Sequence, residues 1–209
     1  MSGRHRSVPA DPDAGRIASI RTTRLDLVAM PLGFMVAVLA GECGLATDLL
    51  GLSEPPRWGR QAARVLQLPM EDAEAPPAHR AWLYRAAVAR DARILVGWAG
   101  FASPPGAGGT AEVGVGVLPA HRGHGLGTEA LRAVSAWGLR QGASAVIARL
   151  GATDRASCAT LTAAGFAVVG KGRASAGRPR LLYVLRAGDL AQDERVAADG
   201  EGVGRCGCW

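Results

Sequence analysis

Residues 113–130 read V-G-V-G-V-L-P-A-H-R-G-H-G-L-G-T-E-A. An apolar run is followed by a turn with glycines at 123, 125 and 127, and then by the start of a helix. No other segment constrains the fold as much. The strand needs a sheet to sit in, and the helix needs that sheet to pack on. The turn also carries a chemical implication. Glycine lets a bulky anion approach the backbone, and the N–H groups at a helix start face it with a favourable field. Arg122 adds a permanent cation at the mouth. The segment predicts a site for a phosphate-bearing ligand.

The rest of the 209 residues supplies the sheet. A strand is expected from Arg24 to Met30, then helices over Leu32–Gly41 (Pro31 at its first position), Thr47–Leu52 and Trp58–Leu68. Glu71–His79 reads as an acidic, Pro-rich loop. Trp82–Val88, Ile94–Phe101 and Thr110–Leu118 read as strands, separated by the Arg90–Arg93 turn and the loop S-P-P-G-A-G-G at Ser103–Gly109. Gly125–Gln141 is helical, with Leu126, Ala130, Ala133, Val134 and Trp137 near one face. A strand at Ala145–Leu150, a helix at Arg155–Ala164 stopped by Gly165, and strands at Phe166–Val169 and Leu181–Leu185 complete the order. The predicted class is α/β (of the α+β kind), a mixed central sheet of about seven strands flanked by helices. One domain over 16–187 is expected, with a disordered arm at 1–15 and a loose tail from 188 to 209.

Composition narrows the partners. Aromatic content is 5% against 48% apolar, so the core is built mainly of Ala, Val and Leu. The net charge is +6, and Lys171 is the only lysine. The arginines are scattered rather than clustered, which argues against a nucleic-acid or membrane footprint. Leu25–Ala40 follows basic residues, as in a signal peptide, but it begins late and Asp26 and Pro31 interrupt it. It is also too short to span a bilayer, so a cytoplasmic location is expected. Cys43, Cys158, Cys206 and Cys208 form no disulfide framework. Cys206-Gly-Cys208 could be half of a metal site, but no matching cluster exists, so no metal is expected.

Three kinds of glycine-rich turn compete for the phosphate. A P-loop needs Lys-Ser/Thr after its last glycine, whereas Gly127 is followed by Thr128-Glu129. Gly125-x-Gly127-x-x-Ala130 fits the dinucleotide fingerprint literally, with Asp154 at a tolerable spacing for a ribose contact. Against it, Pro119-Ala120-His121-Arg122 separate the glycines from the strand, and too few βα units follow.

The third kind belongs to a family. Arg122-x-x-Gly125-x-Gly127 resembles the acetyl-CoA pyrophosphate motif Q/R-x-x-G-x-G/A of the GNAT N-acetyltransferases. Asp154-x-x-Ser157 followed by Gly165-Phe166 resembles their N-x-x-S/A … G-F element. The order of elements is similar from about Arg21 to Arg186. Thr23-Arg24-Leu25-Asp26-Leu27, together with Glu112-Val113-Gly114, is similar to the branch of ribosomal-protein alanine acetyltransferases and their small-molecule relatives.

The resemblance implies a GNAT fold and direct acetyl transfer from acetyl-CoA, a cosubstrate, to a primary amine. The acceptor would be a protein or peptide N-terminus or a small molecule. The N–H groups of Gly123, His124, Gly125, Leu126, Gly127 and Thr128 would cradle the pyrophosphate, with Arg122 beside them. Val115 and Val117 would pair with the pantetheine arm, and Gly114 and Gly116 suit a bulge or close approach. Glu112 is the candidate base, and burial would raise its pKa. An N–H near Val115 would face the carbonyl oxygen. The usual acidic Tyr falls at Leu161, so Ser157 is the candidate acid, unless the thiolate leaves unassisted. Asp154 replaces the usual Asn. It gives up an amide donor to the pantetheine but can cap the helix at Arg155. His121 and His124 fit turn packing or phosphate contact better than a base. The Glu71-Asp72-Ala73-Glu74 loop could attract a cationic acceptor, though a solvated loop accounts for it as well. The resemblance leaves a homodimer open, as well as the alternative of a GNAT-fold module that binds coenzyme A without catalysis.

Overall fold

The computed structural model describes residues 17–56, 65–66, 72, 74–173 and 179–189. Its elements, in order, are β1 (Ile20–Arg21), β2 (Leu25–Ala29), α1 (Leu32–Ala40), α2 (Cys43–Leu50), α3 (Pro77–Arg80), β3 (Arg85–Ala89), β4 (Ile94–Phe101), β5 (Thr110–Val117), α4 (Leu126–Arg140), β6 (Ala145–Gly151), α5 (Arg155–Ala163), β7 (Ala167–Arg173) and β8 (Pro179–Leu185). The class is mixed α/β, as expected. Eight strands replace the expected seven because two-residue β1 pairs with β2.

Two compact units share the chain. The first holds the described residues up to Pro104 together with Val113–Val134; the second holds Pro105–Glu112 and the described residues from Ser135 on. Strand β5 and helix α4 run through both.

In the first unit β1 to β5 form an antiparallel meander. Its core gathers Phe34, Met35 and Ala37 of α1, Leu50 of α2, Val88 of β3 and Leu95 of β4, with Tyr84, Trp98 and Leu118 packed against it. Arg85 is buried among these strands. Its Nη1 donates to the Ala18 carbonyl at 2.9 Å and its Nη2 to the Ala81 carbonyl at 2.7 Å. Burial pushes its guanidinium down to about 10, which still leaves it charged at neutral pH.

The second unit pairs the start of β5 in parallel with β6, over Thr110–Glu112 against Ala145–Ile147. β6 pairs antiparallel with β8, and β8 with β7. Helix α5 closes on Gly165 at φ +90. Gly165 N donates to Thr162 O and Phe166 N to Leu161 O, the two bonds of a Schellman cap, which bury Phe166.

Several boundaries move. Pro31 sits one residue outside α1 with an extended backbone rather than at its first position. Helix α2 starts at Cys43, and Thr47 lies inside it, its hydroxyl donating to the Cys43 carbonyl at 2.7 Å. β3 starts at Arg85 because Trp82 and Leu83 are tied back to His79 and Arg80 in a turn. The acidic loop contains the short helix α3. Of the expected helix Trp58–Leu68, only Val65 and Leu66 lie within the described residues, both buried. The disordered arm, the expected tail beyond Asp189 and the Cys206/Cys208 pair lie outside them. On α4 the buried stripe is Ala130, Leu131, Val134, Ser135 and Gly138; Ala130 and Val134 are buried as expected, whereas Leu126, Ala133 and Trp137 are half-exposed.

Candidate functional site

In the first unit, β5 ends at Val117 and a 3₁₀ turn over Pro119–His121 leads into the glycine turn. Gly123 and Gly125 have φ +81 and +74, which side-chain-bearing residues rarely adopt. The segment His121–Thr128 is exposed or half-exposed. Among the described residues, the N–H groups of Gly123, His124, Gly125, Leu126, Gly127 and Thr128 meet no acceptor; the first helical bond in α4 is Glu129 N to Gly125 O at 3.1 Å. A run of unpaired donors at a helix start has the chemistry of an anion cradle. A Cβ built on Gly123 would meet nothing within 4 Å, so the space beside Gly123 is open. Arg122 stands at its edge, its Nε donating to the Val117 carbonyl at 2.9 Å. These residues fit a pyrophosphate.

Two residues that the sequence reading gave no such role hold the turn in place. Glu129, in the first turn of α4, accepts from the Thr22 hydroxyl at 2.6 Å, from the Arg24 backbone N–H at 2.8 Å and from Arg24 Nε at 2.6 Å. Arg24 Nη1 donates to the His124 carbonyl at 2.8 Å. Burial alone would raise the Glu129 carboxyl, but the bonds from Thr22 and Arg24 outweigh it and hold it below the usual range. His124 therefore contributes its carbonyl to the turn's architecture.

Within the first unit β5 is an edge strand, paired with β4 alone. Gly114 and Gly116 are places of close approach, as expected, and side chains occupy them. A Cβ on Gly114 would lie 3.0 Å from Tyr84 Oη. Tyr84 and Trp98 stack edge to face, with centroids 4.8 Å apart.

In the second unit, Glu112 pairs with Arg149 of β6, and the two side chains are 44% and 46% exposed. The burial expected at Glu112 is absent, because an ion pair at the end of a short parallel ladder leaves both partners half in solvent. Asp154 caps α5 as expected: its Oδ1 accepts from Ser157 N at 3.1 Å and its Oδ2 from the Ser157 hydroxyl at 2.7 Å. The Ser157 hydroxyl and N–H together hold the Asp154 carboxyl below its usual range, against a small opposing effect of burial. The proton that Ser157 would give as an acid is thus directed at Asp154. Leu161, at the family's Tyr position, is buried core. Tyr183 of β8, which no sequence motif marks, is buried as well. Cys158 beside it pushes its phenol up, burial adds to this, and Thr162 opposes them. Among the described residues no group of His, Cys, Asp and Glu could hold a metal ion, and no helix is long and apolar enough to cross a membrane.

A strand, an exposed run of N–H donors at a helix start and an arginine beside it together have the chemistry of a phosphate-binding turn. The acetyltransferase (GNAT) domain model matches residues 52–167, more than half of the chain. The chain belongs to the GNAT acetyltransferase family and is an acyltransferase.

Solved structures show the same fold. The ribosomal-protein-S5-alanine acetyltransferase of Vibrio fischeri is similar at TM-score 0.57 and 15% identity, covering 81% of this chain and 96% of that one. RimL, a ribosomal L7/L12 alpha-N-protein acetyltransferase, is similar at TM-score 0.57 and 16% identity, over 80% and 93%. The microcin C7 self-immunity acetyltransferase MccE, solved with acetyl-CoA and AMP, is similar at TM-score 0.56 and 14% identity, over 79% and 93%. No curated protein sequence matches the chain significantly.

Proposed function

We propose that the protein transfers the acetyl group of acetyl-CoA directly to a primary amine, either a peptide N-terminus or a small molecule. The observation that carries this reading is the set of N–H groups from Gly123 to Thr128, beside Arg122, that meet no acceptor among the described residues. They suit the pyrophosphate of coenzyme A. The edge of β5 that faces no other strand of the first unit, with Val115 and Val117, suits the peptide-like pantetheine arm, with Arg122 Nε already on the Val117 carbonyl. Both ribosomal-protein enzymes above are named for acetylating protein substrates, which supports a peptide acceptor.

When bound, the thioester supplies an activated acetyl group. The acceptor nitrogen attacks its carbonyl carbon, a C–N bond forms and the C–S bond breaks. The ammonium proton must leave first, and Glu112 is the group that takes it, directly or through one water. Its half-exposed position beside Arg149 leaves it reachable by water. An N–H of β5 near Val115 faces the charge that develops on the carbonyl oxygen. Ser157 can donate to the departing sulfur only by leaving Asp154; otherwise the thiolate leaves as such and takes its proton from solvent.

The test is thiol release from acetyl-CoA over a panel of peptides and small amines, with mass spectrometry locating a labelled acetyl group on the acceptor nitrogen. Release that depends on a primary amine is expected. Tight coenzyme A binding with no release on any amine would overturn the reading in favour of a binding module.

A further inference from the structure

Glu129 poses a problem for an anion site. A carboxylate in the first turn of α4 interacts well with the helix dipole, but it would repel an incoming phosphate at the same place. Its side chain is 17% exposed, so water screens it only partly. Arg24 answers this from the bend between β1 and β2, far away in sequence. Its Nε meets Glu129 Oε2, its backbone N–H meets Oε1, and its Nη1 takes the His124 carbonyl. That carbonyl is the one a further helical bond would have used for the Thr128 N–H, which meets no acceptor among the described residues. Arg24 Nη2 lies 3.6 Å from where a Cβ on Gly125 would be, so the guanidinium packs against the turn itself.

We propose that Arg24 is a positioning residue for the phosphate of the acyl donor. It cancels the charge of Glu129 and fixes the glycine turn through His124, so that the anion meets N–H donors and not a bare carboxylate. This rests on the coenzyme A reading above. Thr22 shares the task by donating to Glu129.

The experiment compares two donors, acetyl-CoA and acetyl-pantetheine, which lacks the pyrophosphate and nucleotide. For Arg24→Gln, the ratio of kcat/KM on acetyl-CoA to that on acetyl-pantetheine is expected to fall about tenfold or more, mostly through KM. Adding Glu129→Gln to that variant should return most of the ratio, since no bare carboxylate remains. An equal loss on both donors, an unchanged ratio, or a further fall in the double variant overturns the proposal. If Arg24→Gln fails to fold, Glu129→Gln alone decides. It removes the charge and leaves Arg24 in place, so the ratio must hold or rise, and a fall overturns the proposal. Failure of the wild-type protein to bind coenzyme A would instead overturn the underlying reading.

Discussion

Trp98 lies across Gly116, its cross-strand partner on β5: a Cβ built on Gly116 would sit 2.4 Å from the indole Nε1. The indole is wedged in turn against Tyr84 and the first unit's core. Gly116→Ala therefore forces the ring off its seat. Overpacking of this kind costs about 1–3 kcal/mol, read as a lower denaturation midpoint. Pairing it with Trp98→Ala should recover part of the loss, because the clash needs both groups. Strict additivity of the two changes would show that the ring does not dictate glycine there.

Glu112 and Arg149 form a half-exposed ion pair, and such pairs contribute little to stability. Glu112→Gln should leave the unfolding midpoint nearly unchanged while cutting kcat roughly 10²-fold or more, the worth of a positioned base. Arg149→Gln keeps the carboxylate and should cost much less. Turnover of Glu112→Gln at the wild-type rate would remove Glu112 from the mechanism.

The separation of these residues explains what could be read from the chain. The glycine turn, the Asp154 cap and the Gly165 stop were legible because each is a local bargain among neighbouring residues. β4 was read to its end residues because turn-forming segments bound it on both sides. The Arg24–Glu129 pair spans 105 positions, and the Glu112–Arg149 pair spans 37. Nothing in local spacing marks either one. On α4 Ala130 and Val134 were legible, but the rest of the stripe was not, for a related reason. Helical periodicity offers two adjacent faces in a run rich in Ala and Leu, and tertiary packing selects the one with Leu131 and Ser135.

Asp154 links a cap to pH. Its folded carboxyl lies below the usual Asp range, so the cap stabilises above the unfolded value and the gain is lost as pH falls through the folded one. Asp154→Ala should cost about 1 kcal/mol at neutral pH, with the gap to wild type closing in acid. Asp154→Asn still caps, so it should keep most of the stability while removing this acid dependence. Urea titrations at neutral and acidic pH read both effects. A gap between Asp154→Ala and wild type that persists unchanged in acid would sever the cap from the carboxylate's charge.

Gly123 separates strain from occupancy. At φ +81 an alanine is strained by about 1–2 kcal/mol, yet its Cβ would touch no protein atom. The methyl group would project into open space at the cradle. Gly123→Ala should therefore lower the unfolding midpoint modestly and raise the KM for acetyl-CoA by a larger factor, with kcat little changed, because a held donor still presents the same thioester. Gly125→Ala carries similar strain at φ +74, but its Cβ would rest 3.6 Å from Arg24 Nη2. Its effect on donor affinity should shrink when Arg24 is also replaced, whereas that of Gly123→Ala should not. Steady-state kinetics on the single and paired variants measure this, and equal coupling of both glycines to Arg24 would show that the turn responds as one rigid unit.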